Sequence, residues 1–228
     1  MKPPPISSPT AGYRQMTVLP SIPIETLSVF AVAAIALAFA PGPDNIFVLT
    51  QSALHGRVAG LCVTLGLCTG LLVHTSAVAV GVAAVFATSV LAFTALKIVG
   101  AAYLLYLAWQ SFRAGRMAVR PSERVGARFG RLYARGVIMN ITNPKVAIFF
   151  LAFLPQFADP SRGALTPQLL LFGGLFMLTT LLVFGAIACF SGFVGDRLKA
   201  SPRAQVVLNR LAALVFAGLA IRLVTAER

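Results

Sequence analysis

The segment APGPDN, residues 40–45, interrupts the long apolar run FAVAAIALAFAPGPDNIFVL at residues 30–49. Without this segment, the run is typical of a membrane-spanning helix. Proline and glycine are unfavourable inside a helix, and a carboxylate is unfavourable inside a bilayer. Their joint presence therefore predicts a helix that breaks within the membrane and leaves polar groups there.

The composition predicts an integral membrane protein. The chain has 228 residues, of which 58% are hydrophobic and 11% are charged. Soluble domains average about 45–50% apolar and about 25% charged residues, so the polar surface here is too small to cover a soluble globule. Several apolar runs also reach the length of about 20 residues that crosses a bilayer.

Six apolar runs predict an all-α integral membrane fold, because the alternation of lipid-facing barrel strands is absent. The predicted spans cover residues 27–50, 58–86, 90–112, 132–153, 169–194 and 206–224. They divide into two three-helix repeats, 25–112 and 132–225, joined by a basic cytoplasmic connector at 113–131. Residues 1–24 are proline-rich and predict a disordered extension, with Met16 as a candidate true start.

An odd number of spans in each half would invert the second half relative to the first. Inverted repeats are typical of secondary transporters. The connectors after spans one, three and five carry twelve Lys and Arg residues, and the opposite side carries five. The positive-inside rule therefore places those connectors in the cytoplasm and both termini outside. Basic residues clustered in the connectors indicate the orientation of the protein in the membrane, and this arrangement does not favour nucleic-acid binding.

The first span of each half contains a proline followed directly by an ionisable residue. Proline suits the first position of a helix, and Gly42 or Asn143 can cap the half-helix that follows. Each half-helix would then begin inside the membrane with free N–H groups, which favour a carboxylate ligand. A simple proline kink is the alternative. The predicted helix-breaking residues are Pro41, Gly42, Pro43 and Pro144.

Asp44 and Lys145 follow these breaks, and Asp44 is the only acid deep in a predicted span. Intramembrane charges are commonly functional. Asp44 could carry a proton, bind a substrate ammonium group, or be an acid stabilised by the helix dipole without a transport role. Lys145 lies at the unfavourable end of a helix dipole and needs a partner, for which Asp44 is the candidate. Alternatively, its stem follows apolar surface to the interface.

Span two places Gly66, Gly70 and His74 on one face, because they are four residues apart. Small residues allow helices to pack closely, and the same role is expected of Gly100 in span three. His74 should therefore point inward. It could relay protons or could be a satisfied core histidine.

The sequence contains no catalytic constellation, and we expect a protein that is not an enzyme. The two histidines are far apart and no His/Cys cluster occurs, so no metal site is predicted. A Gly-rich phosphate loop with its lysine is also absent, which argues against ATP hydrolysis. No cofactor is expected. The cysteines do not predict a disulfide framework.

Three segments together resemble the LysE/RhtB family of amino-acid exporters. They are APGPDN at 40–45, KIVGAAYLLYLAW at 97–109 and NPKVAIFFLAFLPQF at 143–157. The resemblance implies a bacterial inner-membrane protein that exports amino acids such as homoserine, threonine, lysine or arginine, driven by protons. The family motifs map onto Asp44 and Asn45 and onto Asn143 and Lys145, which the resemblance implies line the pathway. Together with His74 of span two, these residues are the predicted substrate and proton pathway.

Other functions are weaker predictions. A thiol redox membrane protein would need paired cysteines near the breaks, whereas Cys62, Cys68 and Cys189 lie away from both. An exporter of divalent metals would favour acidic or His-rich loops, and the loops here are rich in arginine. An exporter of another small solute, from the same superfamily, stays an alternative. The expected partners are an amino-acid substrate, protons and the lipid bilayer. A homo-oligomer is compatible with the large apolar surface of a small bundle.

Overall fold

The computed structural model describes residues 22–40, 42–88, 90–114, 128–191 and 202–225. Within these ranges all regular structure is helical and no strand occurs. Pro41, Met16 and most of the predicted extension and basic connector lie outside the described residues. The outcome of those predictions is therefore not given by the structure.

Eight helices make up the described bundle. They are α1 (Ile24–Phe39), α2 (Pro43–His55), α3 (Arg57–Thr88), α4 (Val90–Arg113), α5 (Phe129–Ile141), α6 (Pro144–Ile148), α7 (Leu165–Cys189) and α8 (Pro202–Thr225). Helix α6 continues as a π-helical turn, Phe149–Phe153, and then as a 3₁₀ turn, Leu154–Phe157.

Both predicted breaks are present as bends. The axes of α1 and α2 differ by 60°, and α5 differs by 49° from the segment Pro144–Phe157. Each bend occurs where proline cannot donate the backbone hydrogen bond that would continue the preceding helix. Proline then occupies the first turn of the new helix, where its missing N–H costs nothing.

The helices are long and apolar enough for a multi-pass membrane protein. Among the described residues, three helices qualify individually, over Arg57–Gly81, Leu165–Cys189 and Gln205–Thr225. Each bent pair can count as a further span, which gives up to five. The total of six spans in two inverted repeats stays a prediction.

Small residues lie where the helices approach most closely. Helix α3 packs against α5 and α7, and α4 packs against α8. A Cβ added at Gly136 would lie 2.5 Å from the Val63 carbonyl oxygen, and one at Gly66 would collide with the Tyr133 carbonyl. The backbones of α3 and α5 are therefore in contact, which a larger side chain would prevent. Gly100 of α4 similarly faces Ala152 in the π-helical turn.

A cluster of phenylalanines fills the core beside the second break. Phe30 of α1 lies 5.0 Å from Phe157 and 4.8 Å from Phe172 of α7 between ring centroids. These tilted and edge-to-face pairs are favourable arrangements for aromatic rings. We call this set the phenylalanine cluster; its members are Phe30, Phe149, Phe150, Phe153, Phe157, Phe172 and Phe176. All seven are buried, so they form an apolar region next to the polar breaks.

Candidate functional site

The two breaks, about a hundred residues apart in sequence, meet in the centre of the structure. The Asn143 side-chain amide donates a hydrogen bond to Asp44 Oδ2 at 2.8 Å. Its amide oxygen accepts from the Lys145 backbone N–H at 3.0 Å. Asn143 therefore caps α6, as asparagine commonly does, and also holds the carboxylate of the other bent span.

Asp44 lies in the first turn of α2, directly after Pro43. The positive end of the α2 dipole favours a carboxylate at this position. The residue is 3% exposed, and among the described residues its Oδ1 atom has no hydrogen-bond partner. Buried polar atoms are nearly always paired. Oδ1 is therefore a free acceptor in the centre of the bundle.

Lys145 reaches across to the first break. Its Nζ donates to the carbonyl oxygens of Leu37 at 3.3 Å and Ala40 at 3.1 Å. Both carbonyls belong to the C-terminal end of α1, where the last carbonyls have no partner within the helix and the dipole is negative. The negative end of α1 therefore stabilises the Lys145 ammonium group, which the positive end of its own helix disfavours.

The structure gives Lys145 partners other than its candidate partner Asp44. No ion pair joins the two side chains in the described structure: Asp44 bonds to Asn143, and Lys145 bonds to the carbonyls of Leu37 and Ala40. The physical reason is that the unpaired carbonyls of α1 compete for the ammonium group. Asn143, rather than Lys145, then supplies the donor for the carboxylate.

Asn45 and Gly42 complete the first break. Asn45 Nδ2 donates to the Ala38 carbonyl at 2.6 Å, and its Oδ1 is buried without a partner among the described residues. A Cβ added at Gly42 would lie 3.1 Å from Lys145 Nζ and 3.8 Å from Asn45 Oδ1. Glycine at this position therefore leaves room for the lysine to approach the end of α1.

His74 lies near the second break but does not reach Asp44. Its Nε2 is 3.2 Å from the main-chain oxygen of Asn140, near the end of α5, and its ring lies 5.7 Å from that of Phe150. The Asn140 side chain packs onto Gly70, and its Oδ1 has no partner among the described residues. The structure thus brings His74 beside another unpaired polar atom, while both predicted roles stay open.

Two further buried polar residues of α2 were missed from the sequence. Gln51 is 0% and Thr50 is 8% exposed, and Gln51 Oε1 lies 3.1 Å from His55 Nδ1. Gln51 Nε2 and Thr50 Oγ1 have no partner among the described residues. Gln51 follows Asp44 by seven residues, which places both on one face of the helix. That spacing is the signal that could have identified it.

The described residues offer little for a metal or a redox pair. They contain no group of three or more His, Cys, Asp or Glu side chains that could hold a metal ion. The cysteines are unpaired, with Cys62 half-buried, Cys68 buried and Cys189 exposed. The chemistry that the site does offer is a free carboxylate oxygen, amide groups and one lysine.

Comparison with known proteins identifies the family. The sequence model of the LysE type translocator family matches residues 35–227, a range that includes both breaks. The chain belongs to this family. Translocators move solutes across membranes, so membership of the LysE type translocator family indicates a transporter.

Three proteins with similar sequences carry different descriptions. A homoserine/homoserine lactone efflux protein of Salmonella typhimurium is 34% identical over 175 residues, covering 76% of this chain and 84% of the relative. An uncharacterized membrane protein of Vibrio cholerae is 31% identical over 200 residues, covering 87% and 96% respectively. A second uncharacterized membrane protein, from Bacillus subtilis, is 27% identical over 208 residues, covering 87% and 98%. No solved structure matches the chain.

Proposed function

We propose that this LysE type translocator exports a small amino acid of the homoserine or threonine kind, or a basic amino acid, by proton antiport. The observation that carries the proposal is the buried Asp44, which keeps one free carboxylate oxygen where two broken helices meet. The name of the Salmonella typhimurium relative supports the efflux of homoserine as the first substrate to test.

The site matches both charged ends of a free amino acid. The substrate ammonium group would bind Asp44 Oδ1, because that atom is an acceptor without a competing donor. The substrate carboxylate would face the N–H groups at the start of α2 or the Lys145 ammonium. Half-helix ends of this kind suit anionic substrate groups in transporters.

Proton coupling follows if Asp44 holds either a proton or the substrate, but not both. Ionised Asp44 attracts an ammonium group, and protonated Asp44 does not. A proton that binds from outside would release the amino acid there. Loss of that proton to the cytoplasm would restore the carboxylate for the next substrate. Each cycle would export one substrate and import a proton.

The proposed architecture has six spans in two inverted repeats, with both termini outside the inner membrane. Helix α4, with 24 residues, supplies the sixth span, since at 1.5 Å per residue its length of about 36 Å exceeds the bilayer core of about 30 Å. The packing of α3 on α5 corresponds to that of α7 on α1 when the halves are exchanged. The two bends occur at matching positions.

The test is substrate-dependent proton movement in proteoliposomes. Vesicles that contain purified protein receive an inward proton gradient, and efflux of radiolabelled homoserine is followed together with internal pH. Asp44→Asn keeps the size of the side chain but cannot exchange a proton, so proton movement coupled to substrate should fall to the level of empty vesicles. Asp159→Asn, which alters an acid in the loop before α7, is the matched control and should leave coupling intact.

If Asp44→Asn retains the proton-coupled flux of the unaltered protein, Asp44 is not the carrier. Counterflow of homoserine against unlabelled substrate, without a proton gradient, separates binding from coupling. Because Asp44 is also proposed to bind the substrate ammonium group, counterflow should weaken in Asp44→Asn. Full counterflow without a response to pH would assign Asp44 to the proton alone and contradict its role in substrate binding.

A further inference from the structure

An apolar groove lies between α4 and α8, away from the two breaks. Its volume is about 630 Å³. Seven of its eight lining residues are apolar or aromatic, and the eighth is an arginine. They are Leu105, Ala108, Trp109, Phe112, Arg210, Ala213, Leu214 and Ala217. Several of these side chains are well exposed, including Phe112 at 63% and Leu214 at 69%. The groove therefore opens to the outside of the bundle.

The groove has one basic end and one apolar end. Asn209 of α8 donates to the Ala114 carbonyl at 3.0 Å, which places the end of α4 level with the start of the groove on α8. Arg210 lines this end, and the Arg113 guanidinium lies 4.3 Å from the centre of the Trp109 ring. The helices run antiparallel from there, so the opposite end is formed by Leu105 and Ala217.

Nothing on these two helices neutralises the arginines. Neither α4 nor α8 contains Asp or Glu, and the connector that follows α4 is rich in arginine. The positive-inside rule places this end at the cytoplasmic leaflet, whose anionic lipids attract basic residues near the membrane surface. A ligand that fits must therefore combine an anionic group with a long apolar chain.

We propose that this groove binds an anionic phospholipid of the cytoplasmic leaflet. The phosphate group would contact Arg113 and Arg210, and one acyl chain would lie along Trp109 and Leu214 towards Leu105. A second copy of the chain is a poorer occupant. A two-fold axis along the membrane normal would bring the same arginines of both copies to one level, where they repel. The proposal does not depend on the transported substrate.

The protein carries its own probe for this site, because Trp109 is the single tryptophan of the chain. Bromine atoms on lipid chains quench tryptophan fluorescence only at short range. The protein is reconstituted into phosphatidylcholine vesicles that contain an equal fraction of either brominated phosphatidylglycerol or brominated phosphatidylcholine. We expect phosphatidylglycerol to bind about fivefold more tightly than phosphatidylcholine for each arginine contact. Brominated phosphatidylglycerol should therefore quench Trp109 more strongly than brominated phosphatidylcholine at low mole fraction.

The variants distinguish a specific site from general lipid contact. In the double variant Arg113→Gln/Arg210→Gln, both brominated lipids should quench Trp109 fluorescence equally. Arg57→Gln removes an exposed arginine at the start of α3 and should keep the preference of the unaltered protein. High salt should reduce that preference without any substitution, which provides a test that does not rely on a variant folding correctly.

Three results would overturn the proposal. Equal quenching by both lipids in the unaltered protein would show ordinary lipid contact only. Quenching by neither lipid would show that something else covers the groove, such as a second copy of the chain. Retention of the preference in the double variant would count equally against it.

Discussion

The two breaks look alike in sequence but act in opposite ways in the structure. In each, a proline begins a new helix and an ionisable residue follows it. The second break provides hydrogen-bond donors, through the amide of Asn143 and the ammonium of Lys145. The first break provides acceptors, through the Asp44 carboxylate and the final carbonyls of α1. Each break therefore supplies partners for some of the polar groups of the other.

Because one break supplies donors and the other supplies acceptors, hydrogen bonds between the two breaks hold the bent spans together; we call these bonds the interlock. Breaking a helix inside a membrane leaves polar backbone groups that have no water to bind. Here Lys145 bonds two such carbonyls, and Asn143 bonds Asp44, across the two bent spans, so a movement that separates the spans must first break these bonds. The proposed amino-acid substrate would be suited to replace them, because it also carries an ammonium group and a carboxylate. Three substitutions test this relationship.

The largest effect is expected from Lys145→Met, which keeps the length of the side chain but removes its ammonium group. Two carbonyls of α1 then lose their donor. We expect the free energy of unfolding to fall by about 1–3 kcal/mol, the usual cost of an unsatisfied buried group, and export to be lost. Thermal unfolding of the purified protein and vesicle flux measure the two effects.

Arg57→Met is the control for Lys145→Met, since it removes an exposed cation at the start of α3. Its stability and flux should equal those of the unaltered protein. Unchanged stability in Lys145→Met would show that water satisfies the carbonyls of α1 and that the interlock has no structural importance.

A smaller effect is expected from Asn143→Ala. This change removes the cap of α6 and the donor to Asp44 together, so a loss of about 1–2 kcal/mol in unfolding free energy is expected. The matched variant is Asn45→Ala, which loses only the bond to the Ala38 carbonyl. Chemical denaturation of both variants gives the comparison. A larger loss in Asn45→Ala would contradict the view that the second break is the donor of the pair.

The smallest effect is expected from Gly42→Ala. Gly42 has an extended backbone, with φ of −167°, which any residue can adopt. The added methyl group would instead crowd Lys145 Nζ, the flexible end of a side chain. Unfolding free energy should change by at most about 1 kcal/mol, while export slows because the lysine is displaced. Flux and thermal unfolding measure both.

Gly174→Ala is the control for Gly42→Ala, because a Cβ there meets open space on α7. It should leave export unchanged and stability equal or slightly higher, since alanine favours helix more than glycine does. Equal export in both variants would mean that the lysine tolerates displacement from the end of α1.

The sequence allowed the breaks and Asp44 to be predicted because their signals are local. Proline, glycine and a charge within an apolar run identify a broken helix without knowledge of its neighbours. The partner of Lys145 could not be predicted in the same way, because it consists of main-chain carbonyls that every residue has. Only the bend of 60° between α1 and α2 shows which carbonyls are left free. The number of membrane spans stays a prediction.

The phenylalanine cluster has a consequence for electrical leakage. Protons cross membranes rapidly along chains of hydrogen-bonded water, and such chains need polar side chains or space for water. A buried cluster of packed aromatic rings provides neither. The packed rings beside the second break therefore leave no room for such a water chain between them. Under the proposed proton antiport, this region would resist proton leakage between transport cycles, and protons would cross with the movement of the bent spans.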